Sequence, residues 1–406
     1  MGNGNGRPAV GAAAPAGCLL QLVALGLLAV LTATVVACGK GIFPGASSSS
    51  GSSGGGGGSG IARSVYVSNF ATGKLSALSL NTSTGALQNP VQIGAGAAKG
   101  PLGLATLFTT ALYAANAADN EIHVYSLSTN GNLSSLGTIA AGTAPQAVAV
   151  TTSGNYAYAA NKSSASISQY VIDTSTGALT SNGSTNSGPL VTPISLVATD
   201  FFVYVTDLNG GAGVVWTYSI SSLDGTLLAG PSATPSLGGA IGSPAVPGQL
   251  VLDSTGTFVF VGDASGNIAS FEASGTTLAF LAKTATGAGT NVAPAGLAFA
   301  SDIGGNDYLY CANPSANSIS VLLWNPTTLS LTASSITTSA ALSSPTGVAL
   351  STSTGTDYLY VTNAGNGTVT QFTINTANGA LTETNTFAIQ SPANSASQPM
   401  TILINE

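Results

Sequence analysis

The stretch "YLYVTNAGNGTVTQFTINTANGALT", residues Tyr358–Thr382, decides the fold because the chain contains several near-copies of it. Three of them read "VYVSNFATGKLSALSLNTSTGAL", "LYAANAADNEIHVYSLSTNGNL" and "AYAANKSSASISQYVIDTSTGAL". Intervals of about 45 to 56 residues separate successive copies, and this period is typical of propeller blades. Seven copies are present, marked by Tyr66, Tyr113, Tyr158, Tyr204, Phe260, Tyr310 and Tyr360.

Each copy predicts an antiparallel hairpin. The strand around the tyrosine is followed by a polar turn, by an alternating stretch such as "EIHVYSL" or "TVTQFTI", and by a second turn such as "NTSTGAL". Alternation with a period of two indicates a strand with two different faces, and Asn, Asp and Gly suit the turns between antiparallel strands. A proline opens a further apolar strand at Pro101, Pro145, Pro193, Pro247, Pro294, Pro345 and Pro399.

The two ends of the chain complete each other. The first tyrosine strand has no proline strand before it, and the last proline strand has no tyrosine strand after it. We therefore expect residues 401–405 to pair beside residues 65–69. The prediction is an all-β fold, a seven-bladed β-propeller of four-stranded antiparallel blades, closed by pairing of the C-terminal strand with the first blade.

The pairing of "YVTN"-type strands with "P-x-G-[LV]-A" strands resembles the YVTN-repeat propellers, which include bacterial seven-bladed lactonases similar to 6-phosphogluconolactonase. The resemblance covers residues 61–406 and implies the propeller fold, but enzymes and non-enzymes share this architecture. For enzymatic members it implies clustered Glu, His and Arg side chains at the channel mouth. His123 is the only histidine here, and Arg63 is the only arginine beyond Arg7. The sequence therefore assigns no catalytic residue.

The composition excludes some partners. Of 406 residues, 44% are hydrophobic and only 5% are charged, and the net charge is −7. With seven Lys plus Arg residues, the chain has no basic stripe for phosphate groups, so we expect no nucleic-acid binding. No cofactor is predicted, and a monomer is expected.

The first sixty residues predict export. The apolar run "CLLQLVALGLLAVLTATVVA" ends at "VVAC", which resembles the lipobox of bacterial lipoproteins. The resemblance implies that Cys38 carries a lipid; an uncleaved anchor helix is the alternative. The predicted organisation is a signal peptide with lipobox at 1–38, a Ser/Gly-rich linker at 39–60 and the propeller at 61–406. We expect a protein anchored through lipid in the bacterial cell envelope, at the outer membrane or cell surface.

One polar residue per blade follows the tyrosine strand and is the candidate for a ligand-binding ring at the channel mouth. Lys74, Lys99, Asp119, Glu121 and Lys162 come from neighbouring loops. Such a ring would bind a small molecule, a glycan or a protein. The alternative is that these side chains only bond the backbone of their own turns. The seven residues are Asn69, Asn116, Asn161, Asp207, Asp263, Asn313 and Asn363.

Three further features of the sequence involve residue types that can carry chemistry. Glu121 and His123 share a strand face and are interpreted as a surface pair in a third strand, outside the channel wall, rather than as a catalytic pair. The segment "DNE" at 119–121 offers three oxygens, fewer than the six to eight of a calcium site, so no metal site is assigned. Cys311 occupies the place of Val361 in the repeat and is interpreted as a small buried residue.

Two functions stay open from the sequence. The favoured one is an envelope-anchored propeller that binds or scaffolds through its channel-mouth face, without chemistry. The alternative is a lactonase that hydrolyses sugar lactones as 6-phosphogluconolactonase does. Ring opening needs a base or a metal-bound hydroxide, and the sequence spacing assembles neither.

Overall fold

The computed structural model describes Met1 and residues 64–81, 83–94, 100–185, 189–209, 213–234, 247–352, 356–389 and 399–405. Cys38, the rest of the expected signal segment after Met1, and the linker at 39–60 lie outside these ranges, as do Arg63 and Lys99. Within the described part of the chain, no helix is both long and apolar enough to cross a membrane.

The described residues form 28 strands. Blade 1 contains β1 (Ser64–Asn69), β2 (Lys74–Leu80) and β3 (Leu87–Gly94), together with the last strand of the chain. Blade 2 contains β4 (Pro101–Leu107), β5 (Ala111–Asn116), β6 (Glu121–Leu127) and β7 (Leu133–Ala140). Strands of blade 3 are β8 (Pro145–Val150), β9 (Tyr156–Asn161), β10 (Ser166–Ile172) and β11 (Leu179–Thr185).

Blades 4 and 5 follow the same order. Their strands are β12 (Pro193–Ala198), β13 (Phe202–Asp207), β14 (Val214–Ser219), β15 (Ser232–Ala233), β16 (Pro247–Leu252), β17 (Phe258–Asp263), β18 (Asn267–Ser274) and β19 (Thr277–Ala285).

Blades 6 and 7 complete the ring together with the last strand of the chain. They contain β20 (Gly296–Ile303), β21 (Asn306–Asn313), a single 3-10 turn (Pro314–Ala316), β22 (Ser318–Asn325), β23 (Ser330–Thr338), β24 (Pro345–Ser351), β25 (Tyr358–Asn363), β26 (Thr368–Ile374), β27 (Leu381–Ala388) and finally β28 (Pro399–Asn405).

Seven four-stranded antiparallel sheets result, which confirms the predicted fold. In blades 2 to 7 the strands follow chain order across the sheet, from the proline strand to the outermost strand. Blade 1 has the order β28-β1-β2-β3, so the C-terminal strand takes the innermost place. Val65 pairs with Ile404, and Val67 pairs with Ile402. The two ends of the chain therefore meet in one blade, as the repeat count predicts.

The glycine of the "P-x-G" motif is explained by the crowding of proline strands around the axis. A Cβ atom on Gly103 would lie 2.6 Å from the Cα of Ala147 in the next blade, and one on Gly347 would lie 2.8 Å from the carbonyl oxygen of Met400. Contacts of less than 3 Å to backbone have no room to relax. Only glycine allows the inner strands to approach this closely.

The apolar core lies between adjacent blades. One cluster joins Tyr66 and Leu75 of blade 1 to Leu104 and Tyr125 of blade 2, and equivalent clusters fill the other interfaces. Each tyrosine strand lies second from the axis, and both of its faces contact a neighbouring blade. The tyrosine strands are therefore buried along their whole length in several blades, for example in Ser64–Asn69. Burial on both faces makes the ring a single packed unit.

A hydrogen bond that crosses from blade to blade accompanies this packing. The hydroxyl of the repeat tyrosine donates to the carbonyl oxygen of the turn glycine in the next blade, and we call this contact the tyrosine–glycine bond. The glycines have positive φ, 66° at Gly85, which glycine adopts without strain. The described residues show five of these bonds: Tyr66–Gly131 at 2.9 Å, Tyr113–Gly177 at 2.8 Å, Tyr158–Gly225 at 2.6 Å, Tyr310–Gly379 at 3.1 Å and Tyr360–Gly85 at 2.7 Å.

Candidate functional site

The seven inner strands surround a central cavity of about 570 Å³. The residue that follows each proline lines it, and we call these seven residues the collar. Other residues of the same strands also line the cavity, for example Leu104, Val148 and Leu196. The collar consists of Leu102, Gln146, Ile194, Gly248, Ala295, Thr346 and Met400.

The cavity wall is uncharged. Its polar side chains are amides and hydroxyls, including Gln146, Gln249, Thr346 and Thr401, and no ionisable side chain lines the cavity among the described residues. Gln249 Oε1 accepts a hydrogen bond from the backbone N–H of Leu297 at 2.9 Å, so this amide is held by the neighbouring blade. A wall of this chemistry suits a small uncharged molecule with apolar edges and a few hydrogen-bonding groups.

The seven predicted ring residues occupy equivalent places, at the end of each tyrosine strand, but they are buried. Six of them have no exposed surface, and Asp263 is 2% exposed. Each amide points back into its own blade. Asn161, for example, donates from Nδ2 to Ser166 Oγ at 3.1 Å and to Ser168 Oγ at 3.0 Å. Asn313 and Asn363 make the same pair of bonds to hydroxyls five and seven positions further on.

In these positions the side chains stabilise the hairpins. The hydroxyls that accept the amide hydrogens belong to the following strand, so the bond fixes the turn between the two strands, in addition to the backbone bonds expected from Asn in turns. A direct contact of these residues with a ligand stays a prediction. Because these residues are buried, their contribution to the channel mouth is to fix the conformation of the turns that form it.

Asp207 and Asp263 hold their turns as carboxylates. Asp207 accepts hydrogen bonds from the backbone N–H groups of Val191 at 2.8 Å and Thr192 at 2.6 Å and from the indole of Trp216 at 3.2 Å. Asp263 accepts from two backbone N–H groups of its own turn, and Lys283 Nζ lies 3.9 Å away. Both acidic side chains therefore hold the turns at the ends of their tyrosine strands through backbone N–H groups.

Blade 2 differs from the others at this place. His123 Nε2 lies 2.7 Å from Asp119 Oδ2, while Glu121 Oε2 lies 4.0 Å away. The expected pairing of His123 with Glu121 on an exposed face is therefore replaced by a closer pairing with Asp119, and His123 is only 7% exposed. The cause is the turn, in which Asn120 adopts a positive φ of 64° and brings Asp119 over the strand.

Two other predicted features have clear positions. Cys311 is fully buried, and burial raises the pKa of its thiol, so it is a core residue and not a nucleophile. The three "DNE" oxygens do not all converge, because Asn120 Oδ1 accepts a hydrogen bond from the backbone N–H of Ala144 at 2.8 Å. Lys74 Nζ bonds Gln92 Oε1 at 3.3 Å on the surface, and Lys162 is exposed.

These features define a seven-bladed propeller with a central cavity whose described lining is uncharged. The model of the family "Lactonase, 7-bladed beta-propeller" matches residues 60–195 and 244–394, which is more than half of the chain. The chain belongs to this family of propellers. Among curated proteins, no significant match to the sequence was found.

Solved structures share the fold at low sequence identity. A Bacteroides fragilis protein provisionally described as a 6-phosphogluconolactonase is 17% identical, with a TM-score of 0.68 over 87% of this chain and 100% of that one. The periplasmic gluconolactonase of Pseudomonas aeruginosa is 15% identical, with a TM-score of 0.67 over 85% of this chain and 99% of that one. At these identities the likeness shows the fold alone.

Proposed function

We propose that the protein is a lactone hydrolase that takes an uncharged lactone at the collar. Membership of the lactonase family carries this proposal, since it favours the lactonase alternative over the scaffold. The cavity of about 570 Å³ is large enough for a small sugar lactone, whose hydroxyl groups can bond the amides and hydroxyls of the wall.

The chemistry of the wall favours an uncharged substrate over a phosphorylated one. The two similar structures are named for different substrates, gluconolactone in one and its 6-phosphate in the other. A buried phosphate needs Arg, Lys or several N–H donors, because removing its charge from water is costly. The described lining supplies no cationic side chain, whereas Gln146 and Thr346 suit neutral hydroxyl groups.

A second candidate is a binding module without chemistry. Hydrolysis needs a base or a metal-bound hydroxide near the carbonyl carbon, and the described lining of the cavity holds neither an acid nor a base. This observation favours a protein that retains its ligand unchanged. Both candidates place the ligand at the collar and differ only in what happens to it there.

For either function we propose that the protein is exported and held at the cell envelope by a lipid on Cys38. The motif "VVAC" and the Ser/Gly-rich linker behind it support this location. A flexible linker of about 20 residues gives a reach of roughly 25 Å, so the propeller would meet soluble ligands close to the membrane.

The test compares D-glucono-δ-lactone with 6-phosphogluconolactone as substrates of the purified protein, by titration of the released acid. We expect turnover of the neutral lactone and little turnover of the phosphorylated one. Gln146→Lys adds a cation to the collar and should shift the preference towards the phosphorylated lactone by about tenfold, equivalent to roughly 1.4 kcal/mol. Gln88→Lys, on the exposed strand β3, is the matched control and should change nothing.

The results separate the candidates. Saturable binding of the neutral lactone in calorimetry, without turnover, would replace the hydrolase by the binding module. Equal or faster hydrolysis of the phosphorylated lactone by the unaltered protein would refute the proposed substrate class.

A further inference from the structure

Asp119, Glu121 and His123, which we call the blade-2 cluster, bring three potential metal ligands together at the turn between β5 and β6. One ligand atom from each residue lies within 4.8 Å of the other two. The side chain of His123 is 8% exposed, that of Asp119 is 24% exposed and that of Glu121 is 38% exposed. The cluster thus has a buried nitrogen at its base and a carboxylate that reaches solvent.

The cluster replaces residues that the repeat keeps in other blades. At the position of His123, blades 1, 3 and 6 have Ser76, Ser168 and Ser320, whose hydroxyls accept the amide hydrogen of the turn asparagine. At the positions of Asp119 and Glu121, blade 3 has two further serines. Blade 2 therefore has three potential metal ligands at positions where blade 3 forms the same hairpin with three serines.

The arrangement leaves a charged group incompletely satisfied. Asp119 Oδ2 lies 2.7 Å from His123 Nε2 and 2.8 Å from Asn116 Nδ2, whereas Asp119 Oδ1 is buried without a partner. Burial of a carboxylate oxygen without a hydrogen bond destabilises the folded state, because the water that solvated this oxygen is not replaced. A cation at the cluster would supply the missing partner.

We propose that the blade-2 cluster binds a divalent metal ion of the zinc class. One imidazole nitrogen and two carboxylates form a three-ligand set that zinc accepts with water in the remaining position. Calcium takes oxygen ligands only, so the imidazole selects against it. Ligand atoms on one zinc ion are about 3 to 4 Å apart, given bonds of about 2.0–2.2 Å, and small side-chain rotations bring the present separations of 2.7 and 4.0 Å to that spacing.

Binding also moves a proton. His123 Nε2 lies 2.7 Å from Asp119 Oδ2, and a metal bound at Nε2 uses the lone pair of that nitrogen. The neutral ring therefore carries its proton on Nδ1 in the metal-bound state, so the proton moves within the imidazole and none has to leave the protein. Solvent reaches the turn from one side, since Asn120, between Asp119 and Glu121, lines a second cavity of about 530 Å³ with hydroxyls of blade 3.

The site is independent of the proposed lactone hydrolysis. His123 lies in the third strand of its blade, whereas the collar belongs to the innermost strands. The metal would tie the β5–β6 turn to the third strand in place of the asparagine–hydroxyl bond of the other blades. Loss of metal binding and loss of hydrolysis are consequently separate results.

The test uses the whole protein, without a polyhistidine tag and treated with chelator. ZnCl₂ is titrated in calorimetry, with CaCl₂ in parallel, and the histidine ring is followed by NMR after ¹⁵N-histidine labelling. Because His123 is the single histidine, every ring signal reports on this site. We expect saturable zinc binding with one ion per chain, a large shift of the His123 ring nitrogens, and no such shift with calcium.

The key variant is His123→Ser, which restores the hydroxyl of blades 1, 3 and 6. It should fold with unchanged metal-free stability and bind zinc at least tenfold more weakly. Glu121→Gln changes a more exposed side chain and should also weaken binding at least tenfold, which keeps the test valid if the first variant misfolds. Asp173→Asn, in the turn after β10, removes an exposed carboxylate and should leave binding unchanged.

Two results would overturn the inference. One is the absence of saturable zinc binding and of any His123 ring shift in the unaltered protein. The other is zinc affinity that persists within threefold in Glu121→Gln and in folded His123→Ser, since the ion would then be bound elsewhere.

Discussion

Substitution of Tyr360 by phenylalanine tests whether the tyrosine–glycine bonds hold the ring together. The Tyr360 hydroxyl of blade 7 donates to the carbonyl oxygen of Gly85 in blade 1 at 2.7 Å, and its ring is fully buried. Tyr360→Phe removes one oxygen and leaves the ring packed. The change therefore removes the hydrogen bond to Gly85 at the interface where the two ends of the chain meet.

The expected loss is about 1–2 kcal/mol. A net hydrogen bond contributes about 0.5–1.5 kcal/mol, and a buried carbonyl left without a donor adds to the cost. The turn keeps a second contact, from Gln371 Nε2 to the Thr84 carbonyl oxygen at 3.1 Å, so the effect stays local. For about 340 folded residues the entropy of unfolding is roughly 0.7 kcal/mol per kelvin, and the midpoint should fall by about 2 °C.

Tyr218→Phe is the matched control. Tyr218 is 2% exposed, and its hydroxyl has no partner among the described residues. Removing that hydroxyl should leave stability unchanged or increase it, because a buried unpaired polar group is lost. Calorimetry and urea unfolding of both variants give the comparison. Equal destabilisation by Tyr360→Phe and Tyr218→Phe would refute the reasoning, since the hydroxyls would then matter for reasons other than this bond.

Three further predictions follow from the closure, the buried tyrosines and the N-terminus. Deletion of 399–406 should lower the unfolding midpoint far more than loss of a loose tail, because it exposes the edge of β1 and the inner strands beside it. An unchanged midpoint would show that the ends do not meet. Burial raises the pKa of Tyr125, Tyr170 and Tyr204 to about 12. The folded state thus retains protons that the unfolded state releases near pH 10, and urea unfolding should show full stability below pH 10 and a loss between about pH 10 and 12. Cys38→Ala should abolish incorporation of labelled lipid; labelling of the variant would contradict the lipobox interpretation.

Much of the fold can be predicted because the repeat makes its physical causes visible several times. The prolines mark the inner strands, the alternation marks the outer ones, and the unmatched ends require the closure that Tyr66 and Leu403 show. The tyrosine–glycine bond was not predicted, although most copies of the repeat contain both the tyrosine and the turn glycine. A pattern within one repeat does not say which residues of two different repeats meet.

The candidate site was harder to predict for a local reason. Each strand residue such as Asn161 stands where a strand becomes a turn, and the period of two no longer determines which way its side chain points. The structure turns it inwards, onto the hydroxyl of Ser168. In blade 2 the turn geometry at Asn120 determines that His123 meets Asp119 rather than Glu121, and this depends on backbone angles that residue types alone do not give.

Departures from the repeat separate structural from functional residues. Blade 5 has Phe260 in place of the repeat tyrosine, and the turn of blade 6 that would face it, "NPTTL" at 325–329, has no glycine. The donor and the acceptor are absent together, so this departure is explained by the structure alone. The blade-2 cluster is different. Its three side chains stand at positions where blade 3 has serines, and one oxygen of the Asp119 carboxylate is buried without a hydrogen-bond partner. The collar is different too, since Gln146 and Thr346 stand among apolar residues at equivalent positions. A ring built from seven equal parts needs neither departure for folding, and these two places are therefore where ligand and metal binding are to be tested.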